Sequence, residues 1–186
     1  MPFFDPDAAT PAQAPASLPD RDPLTAAVVS VAWLVVFNKP FYPLYVWGLV
    51  GAESARTSLV TLIAMPLYAA LPFASRKAPF AARAALPVIG ALDTLLTWAT
   101  FSRASGGALF LIPCLMLASL SFRTDEVWTT RAEIAFVFVA FLAAVYGLGT
   151  PLEPVGDAAR LLSLNLFSAA SLSAFIGLRW ASVPRT

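Results

Sequence analysis

Charged residues divide the chain from residue 56 onward into apolar stretches of nearly constant length. Each stretch is 18 or 19 residues long, and the five of them are 57–75, 84–102, 104–122, 134–152 and 161–178. A single charged residue, Asp93, interrupts the second stretch. A helix rises ~1.5 Å per residue, so each stretch would be about 27–29 Å long, which matches the hydrocarbon core of a bilayer. The pattern therefore predicts a series of transmembrane helices.

An additional apolar segment, residues 24–51, precedes the regular series and is less uniform. Residues 24–37 are apolar, Asn38-Lys39-Pro40 follows, and the segment 41–51 is rich in aromatic residues. Two arrangements fit this order. Either a helix covers 24–37, with Lys39 extending to the interface and the aromatic residues lying along it, or one longer helix kinks at the prolines.

The sequence thus predicts an all-α, polytopic integral membrane bundle of six helices. The expected spans, after the first one, are 57–74, 84–102, 105–122, 133–150 and 159–179. We expect three regions: a disordered, Pro- and Ala-rich cytoplasmic tail over 1–23, the transmembrane domain over 24–181, and a short cytoplasmic tail over 182–186.

Basic residues indicate the orientation of the bundle. Placing alternate connections on one side collects eight Lys and Arg residues there and leaves four on the other side. Basic residues concentrate in cytoplasmic loops, so we expect both termini in the cytoplasm of a cell whose inner (plasma) membrane holds the protein.

Composition excludes several classes of function. Apolar residues make up 59% of the chain and charged residues only 12%, against about 25% charged in soluble domains. The chain has no His, its one cysteine is Cys114, and no basic tract suits nucleic acid. We therefore expect no metal site, no cofactor and no catalytic residue, and hence no enzymatic activity.

Asp93 is the most distinctive candidate for chemistry because it lies near the middle of the third span. A carboxylate at that depth costs ~2.5–3.5 kcal/mol on insertion scales and usually faces the interior of a bundle. Thr97 and Thr100 share its helix face. Two interpretations remain open: a proton or ligand site, or a structural contact with polar groups on neighbouring helices.

Asn165 and Ser168 on the sixth span, and Lys39 at the end of the first, complete the candidate polar site. Asn165 and Ser168 belong to a small, polar stripe that suits helix packing as well as pairing with Asp93. Lys39 has three alternatives, which are extension to the interface, the lining of an outward cavity and an ion pair with Asp93.

Three segments carry a resemblance to a known class. They are FNKPFYPLYVW at the end of span one, LFLIPCLMLASLSFR in span four and RLLSLNLFSAASLSAFIGL in span six. Over residues 24–181 the chain resembles the membrane-anchor and sensor domains of bacterial class III adenylate cyclases and sensor kinases. Chains of that family continue into a catalytic domain, whereas this sequence ends at Thr186, so the resemblance implies a stand-alone or truncated receptor module with no nucleotide-binding residues.

The sequence supports two main functional hypotheses. The first is a membrane sensor or anchor module, without catalytic activity, that acts through helix association with a second copy of itself or with a signalling partner in the lipid bilayer. The alternative is a small transporter or channel subunit that uses Asp93. A water-filled cavity reaching Asp93 would favour transport, whereas a dry, packed interior would favour the anchor. An enzyme acting on lipid is a weaker third hypothesis, because no nucleophile–base pair is visible.

Overall fold

The computed structural model describes residues 22–101, 103–147 and 158–183, with side chains from Arg160 onward in the last range. The predicted tail 1–23 lies outside the described residues apart from Asp22 and Pro23, which begin the first helix. The described residues are mostly helical, with short turns between the helices, and contain no strand.

Eight α-helices follow one another along the described chain. They are α1 (Pro23–Asn38), α2 (Tyr42–Leu49), α3 (Ala52–Ser58), α4 (Met65–Ala74), α5 (Pro79–Phe101), α6 (Leu111–Leu120), α7 (Val127–Tyr146) and α8 (Ala158–Ala181). Short 3₁₀ segments join several of them, namely Lys39–Phe41, Leu59–Ala64, Arg103–Ser105 and Gly107–Phe110.

Within the described residues, five helical runs are long and apolar enough to cross a membrane. They are Pro23–Leu49, Ala52–Ala74, Pro79–Phe101, Val127–Tyr146 and Arg160–Ala181, and a shorter apolar helix covers Gly107–Leu120. The prediction of a multi-pass, all-helical membrane protein is confirmed at this level.

The first span continues through the prolines as helix. The 3₁₀ turn Lys39–Phe41 joins α1 to α2, so the helical run reaches Leu49. Proline lacks an N–H, and the tighter 3₁₀ turn accommodates that loss without ending the helix. This geometry corresponds to the longer, interrupted helix rather than to a helix that stops at residue 37.

Helix bounds differ from the predicted spans where charges were used as limits. Helix α7 begins at Val127, so Arg131 and Glu133 lie within it, and it ends at Tyr146, before the predicted 150. Gly147 follows with a φ of 70°, a left-handed conformation that stops a helix and favours glycine. A charge thus marks the interface only loosely, because a helix can extend beyond the bilayer.

The interior comprises two main apolar clusters. In the first, α1, α4, α5, α6 and α8 pack around residues such as Val28, Leu86 and Ile176. In the second, α5, α6 and α7 pack around Ala91 and Val137. Helices α5 and α6 approach closely at Gly90, where a Cβ atom would lie 2.8 Å from Cys114 Sγ. A side chain at this position would force α5 or Cys114 to shift.

Candidate functional site

Lys39 and Asp93 form an ion pair inside the bundle. Lys39 Nζ donates to Asp93 Oδ1 at 2.7 Å and to Oδ2 at 2.6 Å. The two side chains are only 10% and 13% exposed. Lys39 begins the 3₁₀ turn after α1, and Asp93 lies on α5 within its third-last turn. Of the alternatives for Lys39, the structure therefore shows the ion pair, and the same side chain also lines a cavity.

Tyr68 on α4 completes the polar cluster, although no sequence pattern singled it out. Its hydroxyl donates to Asp93 Oδ2 at 3.2 Å, and Lys39 Nζ lies 5.8 Å from the centroid of its ring. The Tyr68 side chain is buried. One carboxylate thus accepts hydrogen bonds from two neighbouring segments, which stabilises its charge in an apolar surrounding.

The two threonines predicted to accompany Asp93 bond to their own helix. Thr97 Oγ1 donates to the Asp93 carbonyl at 2.9 Å, and Thr100 Oγ1 donates to the Leu96 carbonyl at 2.8 Å. Thr97 borders the cavity, while Thr100 is fully buried. Their donors are occupied, so Thr97 offers a ligand mainly the lone pairs of its oxygen.

The two candidate residues of α8 have different surroundings in the structure. Asn165 is fully buried, and its amide donates to the Ser105 carbonyl at 2.8 Å, joining α8 to the segment before α6. Its contact is thus with Ser105, whereas Asp93 receives bonds from Lys39 and Tyr68. Ser168, one turn further along α8, borders the same cavity as Asp93.

A cavity of about 680 Å³ adjoins the ion pair. This volume falls in the range of about 300–1,000 Å³ that is usual for small-molecule sites. Polar lining comes from the ion pair, from Tyr68 and from further amide and hydroxyl side chains, namely Asn38, Tyr42, Tyr45, Thr61, Thr94, Thr97, Ser168 and Ser171. The apolar lining comes from α1, α5, α6 and α8, and includes Val31, Leu34, Leu86, Leu117, Phe167 and Leu172.

A second cluster of charges ties together one end of the bundle. Arg83 on α5 is buried and donates to both carboxylate oxygens of Glu126, at 2.8 and 2.7 Å. It also donates to the Ser121 carbonyl at 3.0 Å and lies 3.8 Å from Asp22. Arg123 donates to Asp22 at 3.1 Å. These contacts hold the starts of α1, α5 and α7 together at the same end of the bundle.

The two carboxylates of this cluster have lowered pKa values. Partial burial by itself would raise the pKa of Glu126, but the hydrogen bond and charge of Arg83 outweigh it and hold that pKa below its ordinary range. Partial burial also tends to raise the pKa of Asp22. The hydrogen bonds from Thr25 and Arg123 lower it by more, so the pKa of Asp22 is lowered overall. Both groups are therefore ionised at neutral pH.

Comparison with known proteins finds no match to this chain among family models, curated proteins or solved structures. Similarity to the membrane domains of adenylate cyclases and sensor kinases therefore stays a prediction. Within the described residues, no three His, Cys, Asp or Glu side chains are grouped so as to hold a metal ion. What the site offers is one buried ion pair, a tyrosine hydroxyl and an adjoining cavity.

Proposed function

We propose that this chain is a membrane sensor module that binds a small molecule in the cavity beside Lys39 and Asp93 and has no catalytic activity of its own. The observation that carries this function is the cavity itself. It is of small-molecule size, and it places the buried ion pair on its wall. A module that only anchored a partner would have no need of such a space.

The proposed topology is six spans with both termini in the cytoplasm of a bacterial inner membrane. Helix α6 and the short 3₁₀ segments before it support a sixth crossing because hydrogen bonds join them to α8 at two separate levels. Ser105, just before it, accepts a bond from Asn165, and Leu120, at its end, accepts a bond from Trp180 Nε1 at 2.7 Å. The segment 105–120 therefore runs alongside α8 from Asn165 to Trp180.

The ion pair gives the site a means of response. Separating Lys39 from Asp93 would expose an uncompensated charge to apolar surroundings, at a cost of ~2.5–3.5 kcal/mol for each charge at the centre of a membrane. A ligand that contacts the pair can therefore strengthen or weaken it. That would change the free energy with which the turn Lys39–Phe41 packs against α5 and α4. The altered packing would then change how the helices associate with a second copy of the chain or with a signalling partner in the bilayer.

Saturable photolabelling tests the binding function. We would incorporate the chain into lipid nanodiscs, irradiate it with a diazirine derivative of octanol, and map the labelled residues by mass spectrometry. Labelling of cavity residues should be displaced by excess octanol. It should be lost in Ser168→Trp, which fills the cavity, and kept in Ala170→Trp, whose exposed side chain lies outside it.

Labelling that is not displaced by octanol and follows only the lipid-exposed faces would overturn the binding function. Loss of label in both tryptophan variants would do the same, because Ala170 does not contact the cavity. Circular dichroism of each variant would establish that the helices remain intact.

A transporter or channel subunit is the second candidate function, favoured by the position of the ion pair in mid-span beside a cavity. Transport requires that water reach Asp93 from each side in turn. A small water-soluble maleimide should then label Asp93→Cys in a Cys114→Ala background, and Asp93→Asn should abolish flux while leaving the protein folded. Protection from both sides, with the protein inserted, would exclude transport and leave the sensor.

A further inference from the structure

We propose that the cavity selects a neutral molecule dissolved in the bilayer, with an apolar body and one hydrogen-bond acceptor, and admits it sideways between α2 and α8. This inference rests on the proposed binding function and names the chemical class of the ligand and its route. Three features of the cavity carry it: its balanced charge, the unused donor of Lys39 and the exposure of residues at its mouth.

The charge of the lining is balanced. Lys39 and Asp93 are the charged residues among those that border the cavity, and they are paired at 2.6 Å. A carboxylate ligand would have to compete with Asp93 for Lys39, and an ammonium ligand would have to compete with Lys39 for Asp93. Either exchange leaves a buried charge without its partner, whereas a neutral ligand leaves the pair intact.

The hydrogen-bonding groups favour an acceptor on the ligand. An ammonium group has three N–H donors, and two of those of Lys39 are directed to the oxygens of Asp93. The third can serve a carbonyl, ether or hydroxyl oxygen. The remaining wall is largely apolar, with Leu34, Leu86 and Leu172 among its residues, and suits a hydrocarbon body.

The mouth of the cavity lies between two helices at membrane depth. Phe167 on α8 is 73% exposed and Tyr45 on α2 is 47% exposed, although both border the cavity. Ser171, one turn beyond Phe167, is also exposed. These residues belong to the runs Pro23–Leu49 and Arg160–Ala181, which are apolar enough to cross the bilayer, so the opening meets lipid rather than water.

Three photoreactive probes with the same hydrocarbon chain test the charge class: a diazirine alcohol, the corresponding carboxylate and the corresponding alkylammonium. In nanodiscs of neutral lipid, the alcohol should label buried lining residues such as Leu86 and Thr94 saturably. Its apparent affinity should exceed that of each charged probe by at least about tenfold, because only the charged probes disrupt the pair. Replacing both members of the pair, with Lys39→Met and Asp93→Asn together, should weaken the binding of the alcohol about 3- to 10-fold, which is the usual effect of one lost hydrogen bond.

The route is tested on the mouth residue Ser171. Ser171→Trp should slow labelling of Leu86 by the membrane-dissolved alcohol at least several-fold, whereas Ala170→Trp, exposed on α8 but outside the cavity, should leave the rate unchanged. Equal rates in the two variants would overturn the lateral route.

The outcomes distinguish a failure of this inference from a failure of the proposed binding function. Saturable labelling by the carboxylate or the ammonium in preference to the alcohol would overturn the neutral class and leave the binding function standing. Absence of saturable labelling with all three probes would remove the binding function itself, and the inference with it.

Discussion

Lys39 and Asp93 are 54 positions apart in the sequence, yet their side chains meet at 2.6 Å inside the bundle. The contact ties the turn between α1 and α2 to the middle of α5. Because the side chains are only 10% and 13% exposed, each charge depends on the other for its stability.

Breaking this pair should destabilise the protein more than removing it. We expect Asp93→Asn to lower the free energy of unfolding by about 2–4 kcal/mol, because the Lys39 ammonium loses its counter-charge in an apolar site. The double variant Lys39→Met, Asp93→Asn should be destabilised less than Asp93→Asn alone. Unfolding by sodium dodecyl sulfate in mixed micelles measures both values, and a double variant at least as unstable as Asp93→Asn alone would contradict the coupling.

The Arg83 cluster predicts a loss of stability in acid. The pKa values of Asp22 and Glu126 are lowered from ordinary values of 3.8 and 4.5. A lowered pKa in the folded state contributes stability that is complete above the ordinary value and is lost as the pH falls through the lowered one. We therefore expect the contribution of this cluster to the unfolding free energy to be level above pH ~5 and to decline below pH ~4.

Glu126→Gln is the control for that decline. Without this carboxylate the fall in stability below pH ~4 should be shallower than in the wild type, since one of the protons taken up on unfolding in acid is removed. The comparison also cancels the titration of every other carboxylate, since both proteins share them. Parallel curves for the two proteins would contradict the role of Glu126.

Gly90 should not tolerate a side chain. A Cβ atom there would lie 2.8 Å from Cys114 Sγ, so Gly90→Ala should destabilise the protein by about 1–3 kcal/mol through overpacking of α5 against α6. Cys114→Ala should relieve much of that cost in the double variant. Gly177→Ala is the matched control, since no atom lies within 4 Å of its added Cβ, and should be neutral or stabilising. Equal losses at both glycines would contradict the close approach.

Trp180 should contribute a specific hydrogen bond at the end of α8. Its Nε1 donates to the Leu120 carbonyl at 2.7 Å. Trp180→Phe should therefore cost about 1 kcal/mol or slightly more, with part of the loss due to the smaller ring. Trp128, which is 75% exposed, supplies the control, because Trp128→Phe should change stability by less than about 0.5 kcal/mol. Similar losses for the two variants would show that the bond to Leu120 is unimportant.

The sequence was informative about the helices because hydropathy and length are local properties. Regular spacing of charges predicted the long apolar runs, and the interruption at Asn38-Lys39-Pro40, for which two arrangements were open, coincides with the 3₁₀ turn. Helix ends were less predictable, as α7 shows, since Arg131 and Glu133 sit inside a helix that extends past the apolar stretch.

The candidate site was predictable only in part, since it depends on which helices meet. An unusual residue in mid-span identified Asp93, and Lys39 was one of its expected partners. Tyr68 could not be found that way, because a tyrosine in a membrane helix is common and only the packing of α4 against α5 brings its hydroxyl to 3.2 Å from the carboxylate. Asn165 lies on the same polar stripe of α8 as Ser168, and the sequence does not show that the amide of Asn165 bonds to the Ser105 carbonyl instead.

The most direct measurement of the central claim, that the cavity beside Lys39 and Asp93 can hold a small molecule, is the reactivity of a thiol placed in its wall. Ser168→Cys in a Cys114→Ala background would be treated with neutral methyl methanethiosulfonate in nanodiscs, and Ser173→Cys, outside the cavity on the same helix, would be the matched control. We predict faster modification at position 168, with protection by saturating octanol at that position alone. Equal rates at the two positions, with no protection by octanol, would contradict a ligand cavity at this site.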